Sequence, residues 1–132
     1  MNEFDYVQVE GATEAPALPL LIFRRGMRKS ARTLAIVDTG LDEGLLISKE
    51  VRDIIFVEGG PPDTHESLWG GVVEIPCELY LVSVRILDKW VRTEAYAPIY
   101  NGYETLIGRK LLNTVNLCLR GTTKMACTAT ET

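Results

Sequence analysis

The sequence of 132 residues has few of the side chains that build metal, disulfide or thiol sites. It contains one histidine and three cysteines, Cys77, Cys118 and Cys127. The cysteines are odd in number, widely spaced and without a CxxC pair, so the sequence indicates neither a zinc site nor a disulfide framework. We therefore expect no metal and no cofactor. We expect Cys118 to be a small buried apolar residue rather than a nucleophile.

The sequence also lacks a long hydrophobic run and a strong charge of either sign. No apolar stretch approaches the ~18 residues of a membrane span. Residues 1–10 have neither the basic nor the apolar part of a secretory signal. The formal net charge is −4, from 18 acidic and 14 basic residues, whereas nucleic-acid-binding domains are usually strongly basic. These features predict a cytoplasmic protein that binds neither a membrane nor a nucleic acid.

The length and the composition predict one globular domain. The mass is 14.7 kDa and 46% of the residues are hydrophobic. A domain of this size buries about two-thirds of its unfolded surface, which is enough for a core without disulfides or metals. We expect the domain at residues 17–120. Residues 1–16 are expected to be an N-terminal segment, either flexible or an edge strand, and residues 121–132 a polar C-terminal tail.

Short apolar runs between turn residues predict an all-β fold, a small barrel or folded sheet with one short helix near the C-terminus. Ser48 is expected to cap a short helical turn at 49–53, and a loop rich in glycine and proline is expected at 57–63. Extended segments are predicted at residues 18–24, 32–37, 45–47, 65–75 (a hairpin with Gly70-Gly71 at its tip), 78–86, 90–97, 105–108 and 115–119. The helix is predicted at 109–114.

The strongest local motif is Asp38-Thr39-Gly40, which follows an apolar strand. The glycine allows a tight turn, so that backbone amides and ligands can approach the carboxylate. The alternative is an ordinary strand end in which Asp38 accepts turn hydrogen bonds.

A calcium loop starting at Asp38 fails on its spacing. Such a loop needs oxygen ligands at positions 3 and 12 and a glycine at position 6. This sequence has Gly40, Lys49 and Glu43 there. The motif therefore does not predict a calcium site.

A second motif lies downstream, the sequence LIGRKLL at residues 106–112. It makes the Asp38-Thr39-Gly40 motif more specific than it is alone. An apolar strand leading into Asp38-Thr39-Gly40, a glycine-tipped hairpin and this ending together resemble the retropepsin-like aspartic proteases, most closely the small prokaryotic single-domain members. The resemblance covers about residues 18–120. It implies a small closed acid-protease barrel with one short C-terminal helix.

The resemblance implies a homodimeric aspartic endopeptidase. Its chemistry needs two carboxylates that share one proton, and the sequence has only one Asp-Thr-Gly. Asp38 would therefore meet its symmetry mate on a two-fold axis. In the family, the hydroxyl of the residue matching Thr39 bonds across the axis and the glycine matching Gly40 lines the substrate. The expected substrate is a peptide or protein.

The resemblance also pairs Arg109 with Asp42 through a planar guanidinium fork. The alternative is a helix-start arginine that faces solvent. Two departures from the family pattern are Leu41, where retroviral enzymes usually have alanine beside the substrate backbone, and Lys110, which replaces an Asp or Asn. Leu41 bears on the geometry of substrate binding.

Trp69, Gly70 and Gly71 form the expected flap that closes over substrate and excludes water. The alternative for Trp69 is packing against the body of its own domain. His65 has no serine, cysteine or metal-ligand pattern around it, so we expect a partly exposed flap histidine.

Arg24, Arg25, Arg28, Lys29 and Arg32 lie within nine residues. Such a cluster can attract acidic substrates or nucleic acid. Because the chain is acidic overall and no aromatics are interleaved with these residues, we interpret the cluster as a solvated hairpin connection.

Two further hypotheses stay open beside the endopeptidase. One is a catalytically weak or inactive retropepsin-like module for dimerisation or peptide binding. The other is a protease piece processed from a larger polyprotein. A strict monomer in solution would exclude the enzyme.

Overall fold

The computed structural model describes residues 2–56, 61–70 and 72–128. These residues form ten strands and two helices. The helices are α1 (Lys49–Phe56) and α2 (Arg109–Leu112). The strands are β1 (Asn2–Asp5), β2 (Ala17–Arg24), β3 (Ser30–Val37), β4 (Leu45–Leu46), β5 (Thr64–Gly70), β6 (Val73–Ile86), β7 (Lys89–Pro98), β8 (Leu106–Ile107), β9 (Leu117–Arg120) and β10 (Met125–Thr128).

Seven strands form the main sheet in the order β2-β3-β8-β4-β7-β6-β5. β2 also pairs with β6. This extra pairing closes six strands into a barrel and leaves β5 outside the closure as one arm of a hairpin. The predicted all-β barrel is therefore confirmed, as is the predicted hairpin between β2 and β3.

The core is built from the inward-facing residues of the strands, and β2 shows the alternation clearly from Leu18 onward. In β2, Leu18, Leu20 and Ile22 are at most 3% exposed, while Pro19 between them faces solvent. Successive side chains of a strand point to opposite faces, so one face of each strand fills the barrel. Each fully buried leucine or isoleucine contributes about 1.5–3 kcal/mol. The barrel interior supplies the rigidity that holds the loops at its ends.

α1 is longer than the predicted short turn. The Ser48 hydroxyl accepts a hydrogen bond from the Val51 amide at 3.3 Å, as expected of an N-cap. Val51 and Ile55 are buried against the barrel, while Ile54 is 48% exposed. The helix continues because this i, i+4 pair keeps one apolar face on the core. The predicted loop at 57–63 lies partly outside the described residues.

A second, three-stranded sheet has the order β1-β10-β9. Part of the predicted polar tail is thus the strand β10, in which Ala126 and Cys127 are fully buried. The polar composition of residues 121–132 does not indicate this strand, because these two buried residues are small. β1 lies at one edge of this sheet.

Cys118 and Cys127 are disulfide-bonded, which corrects two expectations. The two residues lie directly opposite each other in the β9–β10 pair. Their Cα atoms are 5.0 Å apart, a separation that suits a disulfide. Cys118 is exposed rather than buried. The odd number of cysteines did not exclude a disulfide, because Cys77 is a free buried thiol and the other two cysteines form a pair.

Neither of the described helices has the length and apolar character needed to cross a membrane.

Candidate active site

Asp38 lies at the end of β3, where a parallel pairing fixes the backbone. β3 and β8 run parallel, with Val37 beside Ile107. The Asp38 amide donates to the Ile107 carbonyl at 2.9 Å. β8 lies between β3 and β4, so the loop at residues 38–44 must cross over the end of β8. Asp38, which is half-buried, is therefore the first residue of this crossing loop, and its pairing with β8 fixes its backbone position.

The backbone of the Asp38-Thr39-Gly40 turn orients the carboxylate. The Gly40 amide donates to Asp38 Oδ1 at 2.9 Å, and the Leu41 amide donates to the Asp38 carbonyl at 3.2 Å. A Cβ at Gly40 would stand 3.2 Å from Asp38 Oδ1. Thr39 and Gly40 are exposed. The turn hydrogen bonds expected of an ordinary strand end are thus present. They hold the Asp38 carboxylate in one orientation beside the exposed residues Thr39 and Gly40.

Two glycines allow the crossing loop to lie against its neighbours. The Gly108 amide donates to the Gly44 carbonyl at 2.9 Å. A Cβ at Gly108 would overlap the Glu43 carbonyl oxygen, and one at Gly44 would overlap the Thr93 hydroxyl. Sequence reasoning missed Gly44 and Thr93. Neither belongs to a recognisable motif, and only the β4–β7 contact brings them together.

Arg109 and Asp42 form an ion pair between their side chains. The Arg109 amide also donates to the Leu41 carbonyl at 2.8 Å. The side chains of Arg109 and Asp42 are 51% and 74% exposed in the single chain. The structure therefore brings the two predicted partners together: Asp42 lies on the loop that carries Asp38, and Arg109 is the first residue of α2.

The predicted flap is the hairpin of β5 and β6. Trp69 lies opposite Glu74 near its tip and is 68% exposed, so the ring does not pack against the body of its own domain. Val72 is 95% exposed beside it. Gly70 ends β5, and Gly71 lies outside the described residues. The hairpin thus presents apolar side chains to solvent, a costly arrangement unless something covers them.

A small apolar cluster connects the base of this hairpin to the crossing loop. Leu46, Leu68 and Cys77 are its buried members. The partly buried residues packed on them are Leu41, Ile75, Tyr96, Tyr103 and Leu106. The cluster therefore joins the loop that carries Asp38 to both arms of the flap.

Burial changes the acid–base behaviour of two groups in this cluster. It raises the pKa of the Cys77 thiol to about 11. It also raises the pKa of the Tyr96 phenol, with further increases from the carboxylates of Glu43, Glu94 and Glu66. Both groups therefore stay neutral at physiological pH.

The remaining candidates do not form a site. His65 is exposed on β5, as expected. The described part of the chain contains no cluster of His, Cys, Asp and Glu able to hold a metal. Arg24 differs from the solvated connection expected for it: it is 8% exposed, donates to the Pro61 carbonyl and stacks over the Tyr80 ring at 5.0 Å.

The closed barrel, the crossing loop and the hairpin define a retropepsin-like fold. Among 174 matching chains of solved structures, the EIAV protease complexed with the inhibitor HBY-793 aligns with a TM-score of 0.59. The alignment covers 82% of this chain and 93% of that chain at 15% identity. At this identity, the similarity shows the fold alone. No family model matches the chain, and no curated protein sequence matches it.

Proposed function

We propose that this chain is an aspartic endopeptidase that acts as a homodimer, with one Asp38 from each subunit. The single observation that carries the proposal is the geometry of Asp38. It is a half-buried carboxylate, held by the Gly40 amide at the open end of a retropepsin-like barrel. A carboxylate with only a structural role has no need of exposed neighbours and a hairpin with exposed apolar side chains.

The chemistry requires two such groups. Two carboxylates at about 3 Å cannot both ionise, so one is ionised and the other protonated. The ionised carboxylate takes a proton from the attacking water, and the protonated one polarises the scissile carbonyl and then supplies a proton to the leaving nitrogen. Their apparent pKa values belong to the pair. Since one chain has a single Asp-Thr-Gly, a two-fold axis beside Asp38 is the simplest way to provide both.

The neighbouring residues receive supporting roles. Thr39 is exposed next to Asp38 and would bond across the two-fold axis, while Gly40 and Leu41 would line the substrate backbone. Trp69 and the end of its hairpin would cover the bound peptide and exclude water. The ion pair of Arg109 with Asp42 would hold the crossing loop in position.

The test is the cleavage of a broad peptide library between acid and neutral pH by the wild-type protein and by Asp38→Asn. We expect the substitution to reduce the rate by about 10²–10⁴-fold and to leave the dimer intact, because it changes charge and not shape. Asp53→Asn is the matched control: it removes a carboxylate from the exposed side of α1 and should cleave as well as wild type.

Sedimentation equilibrium supplies the second measurement. A strict monomer, or an Asp38→Asn variant as active as wild type, would refute the proposal. A stable dimer that binds library peptides and cleaves none would instead identify the peptide-binding module.

A further inference from the structure

The exterior of the barrel carries a row of cationic and apolar side chains from four strands. Leu21 of β2 lies opposite Arg32 of β3 and also opposite Arg85 of β6. Arg85 lies opposite Trp90 of β7. Directly opposed residues share a face of a sheet. Arg32, Leu21, Arg85 and Trp90 therefore form one continuous row, and we name the surface around it the arginine face.

A second row on the arginine face supplies an aromatic pair. Phe23 lies opposite Ser83, which lies opposite Arg92. Because Ser83 is small, the Phe23 and Trp90 rings meet across it with centroids 5.6 Å apart and planes tilted by 45°. Trp90 is 55% exposed. Aromatic rings thus lie among the guanidinium groups, which the linear sequence does not reveal because they come from different strands.

The guanidinium groups of this face lack carboxylate partners. Within residues 2–56, 61–70 and 72–128, Arg32, Arg85 and Arg92 form no ion pair. Arg85 donates through Nε to the Leu87 carbonyl at 3.3 Å, which leaves its charge uncompensated. The arginine face is therefore a cationic surface on a chain whose net charge is −4.

Two carboxylates border the arginine face. Glu94 follows Arg92 on the same face of β7, and its Oε2 accepts from Lys110 Nζ at 2.8 Å. Asp88 lies in the turn between β6 and β7. Neither forms an ion pair with an arginine of the face in the described structure. The surface is left with a positive excess that an anionic partner can match.

A groove of about 820 Å³ opens on the arginine face. Phe4, Leu21, Leu34 and Leu87 supply its apolar lining, with Arg32 and Arg85 beside them and Asp88 at one end. Leu34 is 58% exposed there. The volume lies in the range of ordinary ligand sites, and the mixture of aliphatic walls and two cations suits a ligand that is both apolar and anionic.

The arginine face is separate from the candidate active site. Arg32 lies in β3, and Asp38 follows the last residue of that strand. The six residues between their positions correspond to about 20 Å along the strand, at ~3.3 Å per residue. The half of β6 that pairs with β2 is also the half away from the flap. A molecule on this face would not contact Asp38.

We infer that the arginine face is a docking site for an acidic polypeptide segment whose glutamate or aspartate residues flank aliphatic or aromatic side chains. Arginine forks bind carboxylates in pairs of hydrogen bonds. Arg32 and Arg85 stand two strand spacings apart, about 10 Å, on either side of an apolar groove. A nucleic acid fits less well, because the groove walls are largely aliphatic and the net charge of −4 repels a long polyanion. The inference does not depend on the proposed peptidase activity.

The experiment is fluorescence anisotropy with a labelled synthetic peptide in which a leucine–phenylalanine pair is flanked on each side by two glutamates. Asp38→Asn protein is used so that cleavage cannot interfere. We expect the peptide to bind at least about tenfold more tightly than its glutamine counterpart, and binding to weaken as salt rises. Arg32→Ala/Arg85→Ala should weaken binding at least about tenfold, and Leu34→Ser should also weaken it.

The matched control is Arg28→Ala/Lys29→Ala, which removes the same charge from the exposed β2–β3 turn and should bind as before. Thermal melting shows whether each variant is folded. Equal binding of the glutamate and glutamine peptides would overturn the inference. So would equal losses in both double variants, or tighter binding of an oligothymidylate of the same charge.

Discussion

At Asp38, backbone atoms rather than side chains position the carboxylate. The Gly40 amide reaches Asp38 Oδ1, and the crossing loop rests on the Gly44–Gly108 contact. None of Gly40, Gly44 and Gly108 adopts a left-handed conformation. Gly44 and Gly108 are required by close approach, because a Cβ at either would overlap a neighbouring oxygen atom. A Cβ at Gly40 would make a tight contact, 3.2 Å from Asp38 Oδ1.

Gly108→Ala should destabilise the protein by about 1–3 kcal/mol, the usual cost of overpacking. Its Cβ would overlap the Glu43 carbonyl oxygen and stand 2.8 Å from the Leu41 carbonyl oxygen. Urea denaturation of the variant and the wild type measures the difference. Gly121→Ala is the control, because a Cβ there meets nothing within 4 Å. Equal stability of Gly108→Ala and wild type would show that the loop does not pack as described.

Cys77 should make stability fall at alkaline pH. Burial raises the pKa of the folded-state thiol to about 11 from its ordinary value of 9.0. Between these two pH values the unfolded chain loses the proton while the folded chain keeps it, so unfolding becomes more favourable as pH rises. Denaturation at pH 8, 9 and 10 should show a steeper decline for wild type than for Cys77→Ala. Parallel declines would mean that Cys77 is not buried.

Among the elements, the strands of the barrel follow from local pattern and the terminal sheet does not. Short apolar runs between turn residues predict β2, β3, β7 and residues 78–86 of β6. β10 has no apolar alternation strong enough to be recognised, and it forms because β9 and β1 provide hydrogen-bonding edges on its two sides. The Cys118–Cys127 bond then joins two of the three strands.

Reduction of this bond should lower stability by about 2–3 kcal/mol, because the disulfide closes a short loop in the unfolded chain. Urea denaturation with and without dithiothreitol measures the effect. Cys118→Ala should show the lower stability in both conditions. If dithiothreitol shifts this variant as much as wild type, the effect does not come from the β9–β10 disulfide.

At the scale of the whole molecule, the proposed function requires two chains, because one chain carries a single Asp-Thr-Gly. Thr39 and Gly40 of the crossing loop, Trp69 and Val72 near the tip of the flap, and the Arg109–Asp42 pair are exposed. In a single chain, an ion pair this exposed contributes about 0–1 kcal/mol. Its contribution would rise if a second subunit covered it.

Arg109→Ala should therefore weaken dimerisation more than folding. We expect at least about a tenfold increase in the dimer dissociation constant by sedimentation equilibrium, with a change of less than about 1 kcal/mol in the unfolding of the isolated subunit. Lys110→Ala, which breaks the neighbouring pair with Glu94, is the control. A variant with undiminished dimer stability would count against a structural role of the pair in the interface.

The sequence by itself determined the class of fold and the position of the candidate nucleophile-activating group. Short apolar runs, the turn residues between them and the Asp38-Thr39-Gly40 motif are local features, and local backbone preferences are carried by neighbouring residues. The tertiary structure decided which distant residues meet. Only the tertiary structure places Cys118 beside Cys127, Gly44 beside Thr93, and Trp90 among the arginines of the arginine face. The physical reason is that strand register depends on the packing of the whole barrel, and a shift of one residue would reverse every face.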